Sequence, residues 1–111
     1  MEALMEHRWN TRVPLDINVT LNYDKVGLIS ARTRDLSLGG AYVMTDSIRL
    51  GKHTMLDVLL PHEDDPSRMV RVPATVVRTD GEGVALQFTD FDATSIAALT
   101  SWISGVDVAT L

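Results

Sequence analysis

VPLDINVTLNY, residues 13–23, sets the frame for the chain. Leu15, Ile17, Val19, Leu21 and Tyr23 alternate with Asp16, Asn18, Thr20 and Asn22. A period of two places all the apolar side chains on one face and the polar ones on the other, which is a strand with one buried and one wet side. Downstream, Asp24 to Gly27 turns the chain, and Leu28 to Asp35 reads as a second strand with weaker alternation. Ala41–Thr45 is a third strand, and Thr54–Leu60 a fourth, closed by Pro61. The acidic loop PHEDDPS follows, with two prolines that disfavour ladder pairing. Val70–Thr79 is a long fifth strand, with Val70, Val72, Ala74, Val76 and Arg78 on one face and Pro73 on the other. DGEG at 80–83 is a turn signal, since Asp-Gly suits positive φ. Val84–Thr89 is a sixth strand.

After residue 90 the period changes. Ile96, Leu99 and Ile103 fall on one face of a helix. Asp92 or Thr94 can cap its start, and Gly105 can end it. Upstream, residues 1–12 are polar and read as a flexible arm, leaving 13–111 as the folded unit. Six short strands and one helix predict a mostly β domain. Its favoured form is a six-stranded antiparallel barrel with a C-terminal α-helix, because closure removes exposed strand edges.

Composition narrows the function. The chain of 111 residues has no cysteine, which removes disulfides, thiol catalysis and cysteine-bound zinc. No signal peptide is visible, and no apolar run approaches the roughly 20 residues that span a bilayer. The expected setting is therefore cytoplasmic, without membrane insertion. The net charge is −5; all ten Lys and Arg lie within residues 1–79, and residues 80–111 hold five acids and no base. A binder of DNA or RNA duplexes wants a broad basic face that this chain lacks. A small anion needs only a local cluster of arginines.

Catalysis has little to stand on. His7, His53 and His62 lack metal-ligand spacing, so no metal site is expected. The acids of EDD, 63–65, read as a solvated loop, and no phosphate-binding glycine loop is present. Ser37 has no histidine nearby in sequence, so a hydrolase with Ser37 as nucleophile needs the fold to supply its base. Trp102 reads as helix packing.

Two features remain. RWNTR carries Arg8 and Arg12, four residues apart. Two planar guanidiniums at that spacing in an arm can close on phosphate or on the O6/N7 edge of guanine, or can simply be solvated. DLSLGG carries Asp35, Ser37 and Gly40. A carboxylate there can accept from guanine N1–H and N2–H₂, and a hydroxyl can bond phosphate or base. Gly40 can supply positive φ or let a ligand approach the backbone. The alternative is an Asx or ST turn that closes a hairpin.

RxxxR, followed after about twenty residues by DxSxxG ahead of a third strand, resembles the PilZ domain, a bacterial receptor family for cyclic di-GMP. The resemblance spans roughly residues 6–103 and includes the strand order, the trailing helix and the late strand GEGVALQF. It implies a non-enzymatic receptor with cyclic di-GMP as ligand and no cofactor. Arg8 and Arg12 would come from an arm that wraps over the ligand, with Asp35, Ser37 and Gly40 on the other side. Arg78 would be in the region where family members place a side chain that stacks on guanine. Ordering of the arm would signal to an effector protein. Many members carry a further arginine where this chain has His7, and Trp9 would pack the arm onto the barrel. The rival expectation is a PilZ-like protein-interaction module that binds no nucleotide.

Overall fold

A computed structural model of the chain describes residues 11–45 and 48–110, with side chains to residue 105. The apolar alternations become β1 (Val13–Pro14), β2 (Asn18–Tyr23), β3 (Gly27–Leu36), β4 (Gly40–Met44), β5 (Met55–Pro61), β6 (Met69–Thr79) and β7 (Gly83–Phe88), followed by α1 (Ala93–Thr110). The six longer strands pair antiparallel in a ring, β2–β3–β4–β7–β6–β5 and back to β2, so the barrel is closed as expected. The inward residues of each alternation form one core, with Leu21, Val43, Val72, Val76 and Leu99 fully buried.

The first strand is not continuous. Pro14 pairs with Asp35 and Asn18 with Arg32, so the first segment holds one residue more than β3 does over the same span. Leu15 to Ile17 absorb it. Buried Thr33 pins that bulge: its Oγ1 accepts from the Ile17 N–H (2.9 Å) and donates to the Leu15 carbonyl. Its own N–H donates to the Ile17 carbonyl at 2.9 Å. Two more one-residue shifts follow. Arg34 is extra between the pairs Thr33–Val43 and Asp35–Tyr42. Val77 is extra between Val76–Leu86 and Arg78–Ala85. The second of these corrects the expected face of β6. Arg78 leaves the inward row of Val70 to Val76 and is exposed opposite Ala85.

The helix starts where expected. Asp92 caps it by accepting from the Ser95 N–H at 2.7 Å, and this bond is the main reason its carboxyl lies below the ordinary range. The buried face is Ser95, Ala98 and Leu99, with Trp102 partly buried, whereas Ile96 is exposed. Of the expected face, Leu99 is fully buried and Ile103 packs partly buried on the core, and only Ile96 lies outside it. Gly105 does not end the helix, which runs to Thr110. A Cβ at Gly105 would lie 2.5 Å from Glu63 Oε2, the movable tip of an exposed side chain in the acidic loop. The same loop is fastened by Trp102 Nε1–H donating to the Pro61 carbonyl (2.7 Å) and Ser101 Oγ donating to Glu63 (2.9 Å).

Candidate functional site

The β1–β3 ladder brings the two sequence motifs together. Val13 pairs with Leu36, so Arg12, one residue earlier, comes alongside the end of β3. Its Nη1 donates to Asp35 Oδ1 at 2.7 Å. The side chains are 44% and 19% exposed. A pair that open to water contributes only about 0–1 kcal/mol, so a ligand can exchange with it at little expense. Asp35 Oδ1 also accepts from the Tyr42 N–H at 3.2 Å, which fixes the carboxylate against β4.

Ser37 takes the turn role. Its Oγ accepts from the N–H groups of Gly39 (3.2 Å) and Gly40 (3.1 Å) and donates to the Gly40 carbonyl (3.1 Å). One proton and two lone pairs are all a hydroxyl has, so this buried group is fully used. Its proton goes to a carbonyl rather than to a base, which is not the arrangement of an activated nucleophile. Gly40 is also set by the fold. A Cβ there would lie 2.1 Å from the Leu86 carbonyl oxygen, so it is β7 that excludes a side chain, and no positive φ is involved.

Arg12, Ser37, Gly39 and Gly40 form one side of a cleft of about 400 Å³. Val77, Leu86, Gln87, Phe88 and Phe91 form the rest, with Phe88 and Phe91 edge-to-face at 6.5 Å. Val77 joins this wall by the alternation that puts Val76 inward, and the β6 bulge at Val77 keeps the next residue, Arg78, outward as well. The cleft thus joins a guanidinium and a rigid glycine turn to an apolar wall. Arg78 lies near this cleft on β6, across from Ala85, and is not one of its lining residues. Arg8, His7 and Trp9 lie outside the described residues, as does the expected arm apart from Thr11 and Arg12. Among the described residues, no group of three or more His, Asp or Glu is placed to hold a metal ion. No helix there is long and apolar enough to cross a membrane.

Sequence reasoning missed the neighbours of Asp35. Tyr42 is 1% exposed yet belongs to the outer face of the barrel, where Asp35, Tyr42, Ala85 and Arg78 are successive partners across β3, β4, β7 and β6. The Arg34 guanidinium covers its ring at 3.7 Å. Its hydroxyl donates to Asp80 Oδ1 at 2.6 Å. Asp80 Oδ1 also accepts from the Glu82 and Gly83 N–H groups at 2.9 and 3.0 Å. The Tyr42 bond, then those two, hold the Asp80 carboxyl at about 2. Burial, then Asp80, pushes the Tyr42 phenol up to about 12. This carboxylate also corrects the reading of DGEG: Gly27, at 101°, is the one glycine with positive φ among the described residues, and Asp80 holds the later turn by its side chain. Arg34 and Tyr42 flank the DLSLGG motif in plain view, but only the β3–β4 pairing shows that they lie against each other.

A family model described as the PilZ domain matches residues 6–105. No curated protein sequence matches the chain. Among solved structures it is similar to the PilZ domain of CeSA from a cellulose-synthesizing bacterium, with a TM-score of 0.66 and 20% identity over 92% of this chain and 100% of that one. It is similar to the Bacillus subtilis inhibitor of motility MotI/DgrA, with a TM-score of 0.70 and 19% identity over 90% of this chain and half of that one. It is also similar to the PilZ domain of YcgR from Escherichia coli, a structure with c-di-GMP, with a TM-score of 0.69 and 13% identity over 90% of this chain and 91% of that one. At these identities the likeness concerns the fold, whereas the family model covers nearly the whole chain.

Proposed function

The chain belongs to the PilZ domain family, and from that premise we propose that it is a cytoplasmic receptor for cyclic di-GMP, without catalysis, that signals through a protein partner. One observation carries the reading. Arg12 meets Asp35 at 2.7 Å, and the same arginine lines a cleft with Ser37, Gly39 and Gly40. Two motifs more than twenty residues apart in sequence converge on one rim.

Each group has a task there. Asp35 Oδ2 lies 3.9 Å from Arg34 Nε, too far for a hydrogen bond, so it is available to guanine N1–H and N2–H₂. Arg12 swings from Asp35 to the ligand and offers two parallel N–H groups to a phosphodiester or to the guanine O6/N7 edge. Ser37 and Gly40 keep the rim rigid, so their contribution is the shape of the backbone. Val77 and Phe91 give a base an apolar wall. Arg78 stacks from the β6 side. Arg8, from the arm of residues 1–12, closes on the ligand opposite Arg12, and the ordered arm presents a new surface to the effector protein. Charge-assisted bonds contribute about 1.5–3 kcal/mol each. After the cost of ordering the arm, a few of them support micromolar binding, on the order of −8 kcal/mol.

Calorimetric titration with cyclic di-GMP tests this. Wild type should bind in the micromolar range, and Arg12→Ala and Asp35→Ala should each weaken binding tenfold or more. No heat at tens of micromolar ligand would overturn the receptor reading in favour of an interaction module that binds no nucleotide.

A further inference from the structure

We propose that Arg34 is a further ligand-binding residue of this site, donating its guanidinium fork to a phosphodiester of the bound nucleotide. The inference rests on the receptor reading and extends it to a residue outside both sequence motifs.

The bulge in β3 places Arg34 and Asp35 side by side on the outer face. Arg34 lies with its Cζ 3.7 Å from the centre of the Tyr42 ring. That ring is a fixed support: Tyr42 is 1% exposed, its N–H is bonded to Asp35 and its hydroxyl to Asp80. Stacking on a buried, doubly tethered aromatic holds a guanidinium in one plane and removes much of the freedom an arginine would lose on binding. Yet its donors are not engaged. The nearest acceptors are Asp35 Oδ2 at 3.9 Å from Nε and Glu82 Oε2 at 3.8 Å from Nη1, and both exceed hydrogen-bond length. The Arg34 guanidinium thus makes two long ion pairs and no side-chain hydrogen bond to a described residue. Its neighbour two positions back shows the contrast: Arg32 holds both oxygens of Asp16, with Nε to Oδ1 at 2.8 Å and Nη2 to Oδ2. One arginine is spent on a surface pair, and the other is held in position with its fork open.

The two oxygens of Asp35 face different guanidiniums, Oδ1 toward Arg12 and Oδ2 toward Arg34. An anion that enters beside Asp35 therefore meets a guanidinium on each side. With Glu82 3.8 Å from Arg34, the two arginines and two acids balance, so what the site offers is placed donors rather than net charge. The half-exposed Arg34 can reach such a ligand without being uncovered. Its planar fork matches the two non-bridging oxygens of a phosphodiester, which a lysine would contact only as a point charge.

Two readouts test this with cyclic di-GMP. In calorimetry, Arg34→Ala should bind tenfold or more weakly than wild type. Arg34→Lys should fall between them, and Arg32→Ala should stay within twofold of wild type. In the unaltered protein, the Arg34 Nε–H NMR signal should shift and exchange more slowly with water at ligand saturation, which needs no variant to fold. A wild type that binds nothing overturns the receptor reading and this inference with it. A wild type that binds while Arg34→Ala stays within twofold, or while the Arg34 Nε–H signal does not move, overturns this inference alone.

Discussion

Gly40→Ala should destabilise the protein in the absence of any ligand. A Cβ on Gly40 would lie 2.1 Å from the Leu86 carbonyl oxygen, 3.2 Å from its carbon and 3.4 Å from Gln87 Cα. Ordinary contact begins near 3.4 Å, so β4 and β7 would have to part by about 1.3 Å at that point. The obstacle is backbone, so no rotamer change relieves it. Gly40 pairs with Gln87 at one end of β4, and Gly83 pairs with Met44 at the other. A Cβ on Gly83 would lie 2.1 Å from the Val43 carbonyl oxygen, so the pairing of these strands is closest at both ends. Overpacking of this kind costs about 1–3 kcal/mol or more. For a domain of this size each kcal/mol moves the melting temperature by about 4 °C, so Gly40→Ala should lower it by about 10 °C. Gly51→Ala is the matched control. A Cβ there meets nothing within 4 Å and its φ is not positive, so the melting temperature should hold or rise slightly. Thermal unfolding of ligand-free protein followed by circular dichroism measures both. If Gly40→Ala melts within 1 °C of wild type but loses nucleotide binding, the glycine serves ligand approach and the packing argument is wrong.

Other predictions follow the same contacts. Ser37→Ala leaves the Gly39 and Gly40 N–H groups without their acceptor. It should lower apo stability by about 1–3 kcal/mol in urea unfolding, and an unchanged midpoint would show that the hydroxyl does not hold the turn. Tyr42→Phe removes the main cause of the low Asp80 pKa. Because the folded pKa of about 2 lies below the ordinary 3.8, Asp80 stabilises the fold above pH 4, and that stabilisation is lost as pH falls toward 2. The stability gap between wild type and Tyr42→Phe should therefore be widest near neutral pH and close between pH 4 and 2; a gap independent of pH would refute the coupling. At the alkaline end the phenol pKa of about 12 predicts that wild type loses stability as pH rises from 10 through 12, a loss that Tyr42→Phe should not share. Trp102→Phe removes the Nε1–H bond to the Pro61 carbonyl while keeping much of the apolar contact, and should cost about 1 kcal/mol in the same unfolding assay.

Most of the barrel was legible because its period is a local property. Alternation in 15–23, 70–76 and 84–88 reports which side chains face inward, and the turns between strands announce themselves by Asp and Gly. Glycine roles were less legible. Gly40, Gly81 and Gly105 read as sites of positive φ, of ligand approach or of helix termination. Gly40 instead answers to a strand carbonyl, Gly105 lies within a helix that runs on to Thr110, and Asp80 holds the turn at Gly81. Leu86 lies 46 residues from Gly40 in sequence, so no local pattern contains that contact. The helix was read correctly at Leu99 and Ile103 but not at Ile96. Ser95 is buried beside Leu99 with its hydroxyl donating to the Arg71 carbonyl at 3.3 Å, so a polar residue is inside where a hydrophobic pattern picks its exposed neighbour Ile96.

The places where the period breaks are the places where the candidate site is built. Three one-residue shifts occur, at Leu15 to Ile17, at Arg34 and at Val77. A regular barrel would direct alternate residues inward at each of them. The first shift sets the register that carries Arg12 to Asp35. The second sets Arg34 and Asp35 side by side on the outer face, opposite Tyr42. The third, at Val77 in the cleft wall, frees Arg78 from the inward row. Bulges re-aim side chains at a small expense in ladder pairing and recur beside functional sites. Here three of them act on one face, so the regular part of the sequence specifies the barrel and the irregular part specifies what the barrel presents. A deletion test separates the two. Removing Val77 should restore an unbroken β6–β7 ladder, with Arg78 directly after inward Val76 and still opposite Ala85 on the outer face. The expected result is a folded or nearly folded barrel that has lost the cleft and, with it, nucleotide binding. Full binding by that deletion variant would show that the bulges are incidental to the site.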